Sequence, residues 1–176
     1  MLYPAGVAAA GQSGAFAKQK NTIQDSFNRG SALDINDLEN QRTVLSSDVR
    51  LYFEAQKLDF DPKSTSPEIK ENMRLLGKVA EQTKFLGTTV VKLVGHLDTT
   101  KVADFKAKGA QEFVEASAQA KLISKRRAEF VKSVLVKNFG VDAERVVTEG
   151  RGWDSPVDEK NPEMNRRVEV QFLSFE

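Results

Sequence analysis

Residues 88–98, TTVVKLVGHLD, constrain this chain more than any other stretch. The run is apolar on both alternating faces, Val91 with Leu93 on one and Val90 with Val94 on the other, as in a strand covered from both sides. Such a strand is predicted to be central in its sheet. It stops at Gly95, and His96, Leu97 and Asp98 follow, so a carboxylate stands just beyond the carboxyl end of a buried strand. In open α/β sheets that is where ligands bind.

The flanking sequence supplies the partners of this strand. VRLYF from Val49 alternates and is rich in strand formers, and it runs into a polar loop around residues 59–66. Ser66 then stands as an N-cap, with Pro67 at the first helical position and Glu68 in the first turn. Ile69, Met73, Leu76 and Val79 recur at helical spacing, which predicts a helix to about Lys84. A second helical pattern runs from 102 to 138, with Val102, Phe105, Phe113, Ala120, Ile123, Phe130, Val134 and Leu135 near one stripe. Unbroken it would be about 55 Å long, more than a compact domain of this size covers, so a break is predicted at Gly109 or within residues 117–119. Gly140 sits where a helix C-cap belongs. A strand is expected from about Arg145 to Glu149, and RRVEVQFLSF closes the chain as a last strand with Val168, Val170 and Phe172 on one face and the wetter Glu169 and Gln171 on the other. Helices between strands at this spacing predict an α/β fold, an α+β sandwich of helices packed on a mixed sheet. Residues 1–47, small, polar and weakly patterned, are read as an N-terminal arm or linker remnant, and residues 48–176 as the domain.

Composition sets limits on function. The 176 residues carry a formal net charge of +1, so no global field attracts nucleic acid. No apolar run reaches the roughly 20 residues of a membrane-spanning helix, and no cysteine is present for disulfide or thiolate chemistry. His96 is the only histidine, which leaves a nucleophile triad without a further base and a zinc site short of ligands. Asp59 and Asp61 lie in a polar loop, where paired acids are turn formers rather than catalysts. The chain is read as a binder, not an enzyme, and no metal or cofactor is expected.

The binder reading centres on Asp98. Arg127, in SKRRAEF, lies four residues after Ile123 and three before Phe130, which puts it on the apolar stripe of its helix. An inward arginine needs a carboxylate, from the protein or from a ligand. In one reading Asp98 caps the following helix and Arg127 snorkels or pairs with a sheet carboxylate. In the other the two grip a zwitterion, Asp98 taking an ammonium and Arg127 a carboxylate. Spacing alone supports both.

VGHLD, then LISKRRAEFVKSVLVKNFGVDAERVVTEGRGWDSPV, then NRRVEV resemble, in that order, the C-terminal OmpA-like domain of bacterial envelope proteins over about residues 49–174. The resemblance implies a β-α-β-α-β-β mixed sandwich that binds peptidoglycan without chemistry, through the diaminopimelate of its stem peptide. It implies a periplasmic, cell-envelope location, with a leader or upstream region lying before Met1. Carried over by position, Asp98 holds the diaminopimelate ammonium and Arg127 its carboxylate, Arg166 adds a contact, and His96 and Asn165 of the same motifs complete the ligand-binding set.

The chain departs from the family at Leu97, where threonine is common, at Thr99 to Val102, where a glycine is usual, and at Ala120, where asparagine is usual. Between Asp98 and Arg127 it carries an insertion, about residues 101–118, that includes ADFKAKGAQEFVEAS. This lengthened form resembles OmpA-like domains fused to periplasmic substrate-binding proteins of the phosphate-transporter type, so an upstream substrate-binding domain or an envelope protein is an expected partner. The departures also support a second reading, a structural or protein-interaction domain whose degenerate pocket no longer binds peptidoglycan, with Phe105 and Phe113 on a partner surface. In the blander reading those rings cover an enlarged helix layer. Trp153, in GRGWDSP, is read as a loop anchor or as part of the ligand cleft.

Overall fold

A computed structural model describes residues 42–45 and 49–175, and from residue 49 onward the elements follow the predicted order. They are β1 (Arg42–Leu45), β2 (Arg50–Tyr52), α1 (Pro67–Phe85), β3 (Thr89–Gly95), α2 (Val102–Lys108), α3 (Ala110–Phe139), β4 (Val146–Gly150) and β5 (Arg167–Phe175). The strand β1 falls inside the segment read as an arm. Residues 1–41 and 46–47 of that segment lie outside the described residues.

β3 is central, as predicted. It pairs in parallel with β4 and antiparallel with β5. The two helices α2 and α3 make the crossover that a parallel pair needs. β5 is flanked on its other side by β2 at residues 167–169 and by β1 at residues 172–175, both antiparallel. The last strand of the chain is therefore inserted between the first βαβ strands, β2 and β3. That insertion brings residues 166 and 167 to the carboxyl end of β3.

Local chemistry sets the element ends. Ser66 Oγ accepts from Ile69 N (3.2 Å), and Pro67 opens α1 without wasting a donor. At the other end of α1, the Arg145 guanidinium donates to the carbonyls of Thr83 (2.6 Å) and Leu86, acceptors that the helix leaves open, and to that of Thr89 (2.8 Å) at the start of β3. The predicted break comes at Gly109, whose φ of 124° and ψ of 166° end α2 and start α3. α3 then runs unbroken through 117–119, so that alternative break point is not used. Gly140, at φ 68° and ψ 25°, caps α3 in the left-handed region, its N–H donating to Leu135 and Val136 carbonyls.

The core lies between the sheet and the helices. Leu76 and Val79 of α1 meet Val91 and Leu93 of β3, Val168, Val170 and Phe172 of β5, and Ala128, Val131 and Leu135 of α3 in one cluster. The buried line of α3 passes through Ala120, Ser124, Arg127 and Val131. Ile123, predicted on that stripe, lies at its exposed edge, one position before the buried Ser124. The expectation that β3 is covered on both faces also needs correction. Val90 and Lys92 are only half-buried, and that face carries ion pairs, Lys92 with Glu149 (3.5 Å) and Arg50 with Glu169 (3.4 Å).

Candidate functional site

α3 rests directly on the carboxyl ends of β3 and β4. A Cβ added at Gly95 would lie 1.9 Å from the Ser124 carbonyl oxygen, and one at Gly150 would lie 2.0 Å from that of Lys121. Only glycine admits this contact. Ser124 Oγ donates to the Lys121 carbonyl (3.0 Å) and accepts from Gly152 N (2.8 Å), which ties the loop after β4 to the helix. The same seat carries Arg127, about one turn further along, over the end of β3.

Arg127 is buried, as its place on the stripe predicts, and it does not pair with a sheet carboxylate. Nε donates to the Lys57 carbonyl and Nη1 to the His96 carbonyl, both at 2.8 Å, and the guanidinium lies 5.4 Å from the centre of the Phe53 ring. No carboxylate ion-pairs with it among the described residues. Burial lowers its pKa to about 10, with Asp98 nearby pushing it up and Arg166 pulling it down. At neutral pH it remains a cation, partly desolvated and short of a counter-charge.

Asp98 and Arg166 complete a three-charge cluster. Asp98 Oδ1 accepts from Thr100 N (3.1 Å) and Thr100 Oγ1 (2.6 Å), and Oδ2 lies 3.5 Å from Arg166 Nη1. Burial pushes the Asp98 carboxyl up, and the hydrogen bonds from Thr100 and Arg166 outweigh it, holding the group below the ordinary carboxylate range. Asp98 is not the cap of α2, whose N-cap position is Lys101. Arg166 is itself fixed to the residue after β2: Nε donates to the Phe53 carbonyl (3.1 Å), and Phe53 N donates to the Arg166 carbonyl (2.8 Å). One carboxylate and two guanidiniums thus come together at the strand ends, an arrangement suited to a ligand carrying both an ammonium and a carboxylate.

His96 and Asn165 lie behind this cluster rather than in it. The His96 side chain is buried with Nε2 2.6 Å from Glu169 Oε1, and only its backbone carbonyl serves Arg127. Asn165, also buried, accepts from Val157 N (2.8 Å) and Asp158 N (3.2 Å) and donates to the Asp158 carbonyl (2.6 Å), clamping the loop that delivers Arg166. Three residues escaped the sequence reading: Phe53, Lys57 and Thr100. Phe53 and Lys57 act largely through backbone carbonyls, which carry no side-chain signal. Thr100, two residues after Asp98, has the spacing of a side-chain turn and was legible in principle.

The Glu169 contact has a consequence for stability. His96, Arg167 and Arg50 hold the Glu169 carboxyl at about 2, against the opposing effect of burial. A carboxylate with a depressed folded pKa adds stability above its unfolded value, and that contribution is lost as pH falls from about 4.5 toward 2. Thermal melts of the wild type are expected to drop through that window. Glu169→Gln is expected to be less stable at pH 7 and to show a flatter decline, and parallel profiles would refute the assignment.

A mixed sheet with helices packed on one face and a cluster of charges at its strand ends defines an α/β sandwich domain. Residues 52–169, well over half the chain, match the model of the OmpA family, and the chain belongs to that family. It is 33% identical over 128 residues to outer membrane protein Omp38 of Acinetobacter baumannii, covering 70% of this chain and 30% of that one. It is 31% identical over 119 residues to outer membrane protein A of Bordetella avium, covering 65% and 52%. The chain thus spans about half or less of the length of these curated relatives. The fold is shared with the OmpA-like domain of FopA1 from Francisella tularensis (TM-score 0.53, 17% identity, 77% of this chain and 75% of that one). It is shared also with the peptidoglycan-associated lipoprotein of Burkholderia pseudomallei (TM-score 0.51, 20% identity, 70% and 88%). Among the described residues no helix is long and apolar enough to cross a membrane.

Proposed function

We propose that this domain is a non-catalytic periplasmic module that binds peptidoglycan by gripping the zwitterionic end of diaminopimelate in the stem peptide. Asp98 takes the ammonium, and Arg127 with Arg166 takes the carboxylate. The observation that carries this reading is the buried Arg127 guanidinium, which has two carbonyls for partners and no carboxylate of its own among the described residues. A ligand carboxylate supplies the missing counter-charge. Two charges of one ligand held at once give recognition without any bond being broken.

Calorimetric titration of meso-diaminopimelate into the wild type and Asp98→Ala, at low salt so that the charges are not screened, tests this reading. Saturable binding is expected in the wild type, with at least about a tenfold loss in the variant. The second reading, a degenerate pocket on an interaction domain, has one observation in its favour: Thr100 and Arg166 already occupy Asp98. No heat from a folded wild type would establish that reading instead.

A further inference from the structure

Next to the three-charge cluster lies a cleft of about 490 Å³, between α2, the start of α3 and the loop after β4. Val102, Lys106 and Phe113 line it from the insertion, and Trp153, Asp154 and Glu159 line it from the loop. Its size is that of a pocket for a small ligand. Thr99 lines its near end and directly follows Asp98 in the chain, so the cleft and the charged cluster adjoin.

The cleft is built around a fixed aromatic wall. The Trp153 and Phe113 rings are nearly parallel, at 11°, with centroids 6.1 Å apart, and Phe105 backs Trp153 at 5.8 Å. The indole N–H donates to Ser117 Oγ (3.2 Å), which holds the ring against α3. Trp153 is thus a loop anchor and a cleft residue together, and Phe105 and Phe113 are the rings that seat it. Polar groups stand round this wall. Glu159 is exposed and has no ion pair among the described residues, Asp154 shares Lys121 (3.3 Å), and the Lys106 ammonium lies 5.3 Å from the centre of the Phe113 ring.

This combination discriminates among ligand classes. A lipid chain would leave the carboxylates and the ammonium desolvated without partners. A phosphate would face two acids. A pyranose ring fits both features: its C–H groups can pack against Phe113 and Trp153 where they line the cleft, and its rim of hydroxyl and amide groups meets carboxylate acceptors and a lysine donor.

We propose that the cleft binds an N-acetylated sugar of the glycan strand while Asp98, Arg127 and Arg166 hold the stem peptide of the same polymer. The identity of the sugar rests on the peptidoglycan reading above. The insertion, a departure from the family pattern, then has a role: it adds a glycan subsite to a peptide site.

The test uses two probes on the full chain, meso-diaminopimelate and the trisaccharide of N-acetylglucosamine, titrated into wild type, Trp153→Ala and Glu159→Ala. The trisaccharide is expected to bind the wild type saturably and to weaken by about tenfold in each variant, with diaminopimelate affinity unchanged. Because Trp153→Ala removes an anchor of the loop, the exposed Glu159→Ala keeps the test valid if the first variant unfolds. No trisaccharide heat in the wild type, or equal affinity in wild type and Glu159→Ala, overturns the sugar subsite whatever diaminopimelate does. Loss of diaminopimelate binding alone, with the trisaccharide result intact, overturns the stem-peptide reading and retains a sugar site.

Discussion

Gly95→Ala is expected to lower the melting temperature by roughly 10 °C or more. The added carbon would sit 1.9 Å from the carbonyl oxygen of Ser124 and 2.7 Å from its carbonyl carbon. Those atoms belong to a helix backbone and have no rotamer to change. α3 must retreat by roughly 1.5 Å to restore ordinary contact, at a cost of about 3 kcal/mol or more. The retreat also lifts Arg127, so ligand binding should fall with stability. Gly87→Ala is the control. No described residue lies within 4 Å of a carbon added there, and a change within about 1 kcal/mol is expected. Thermal melts of the three proteins decide the matter, and an unchanged melting temperature for Gly95→Ala would mean that α3 does not rest on β3.

The second large effect is on binding. Arg127→Met is expected to abolish diaminopimelate binding, a loss of about 100-fold or more, with a much smaller change in stability. Two contributions to stability oppose each other. Removing the guanidinium leaves the Lys57 and His96 carbonyls without a donor, and it also removes a buried cation that lacks a carboxylate. Their difference should lie within about 2 kcal/mol. Ligand at 100 times its dissociation constant should stabilise the wild type by about 2.7 kcal/mol and the variant not at all. Denaturant unfolding with and without diaminopimelate measures both quantities. A variant that loses about 4 kcal/mol or more, set against a wild type that gains nothing from ligand, would make Arg127 a structural anchor. Arg127→Lys is expected to resemble Arg127→Met in binding. A single ammonium cannot hold two diverging carbonyls and reach a ligand as a planar fork can.

Much of the site was legible because it is written in short range. The place of Asp98 follows from the apolar run before it, and the inward direction of Arg127 follows from a 3.6-residue period. The N-cap at Ser66, the break at Gly109 and the C-cap at Gly140 were likewise readable, since each depends on backbone groups within a few residues. The insertion was visible as extra length, but not the aromatic wall that it builds against Trp153.

What the sequence by itself determined was most of the elements from residue 49 onward and many of their ends, because periodicity, caps and left-handed glycines are local physics; β1 and the wetter face of β3 were not among them. What only the tertiary structure decided was which faces of the elements meet. Arg166 and Arg167 are neighbours whose side chains part, one to Asp98 and the other to Glu169 and the Ser155 carbonyl. Strand alternation predicts that two such residues diverge, but not which of them enters the site. That choice was made when β5 inserted between β2 and β3 in one register, setting Val168 against Gly95 and Arg167 against Tyr52. A slip of one residue would exchange the two arginines, and burial of Val168, Val170 and Phe172 in the core forbids that slip.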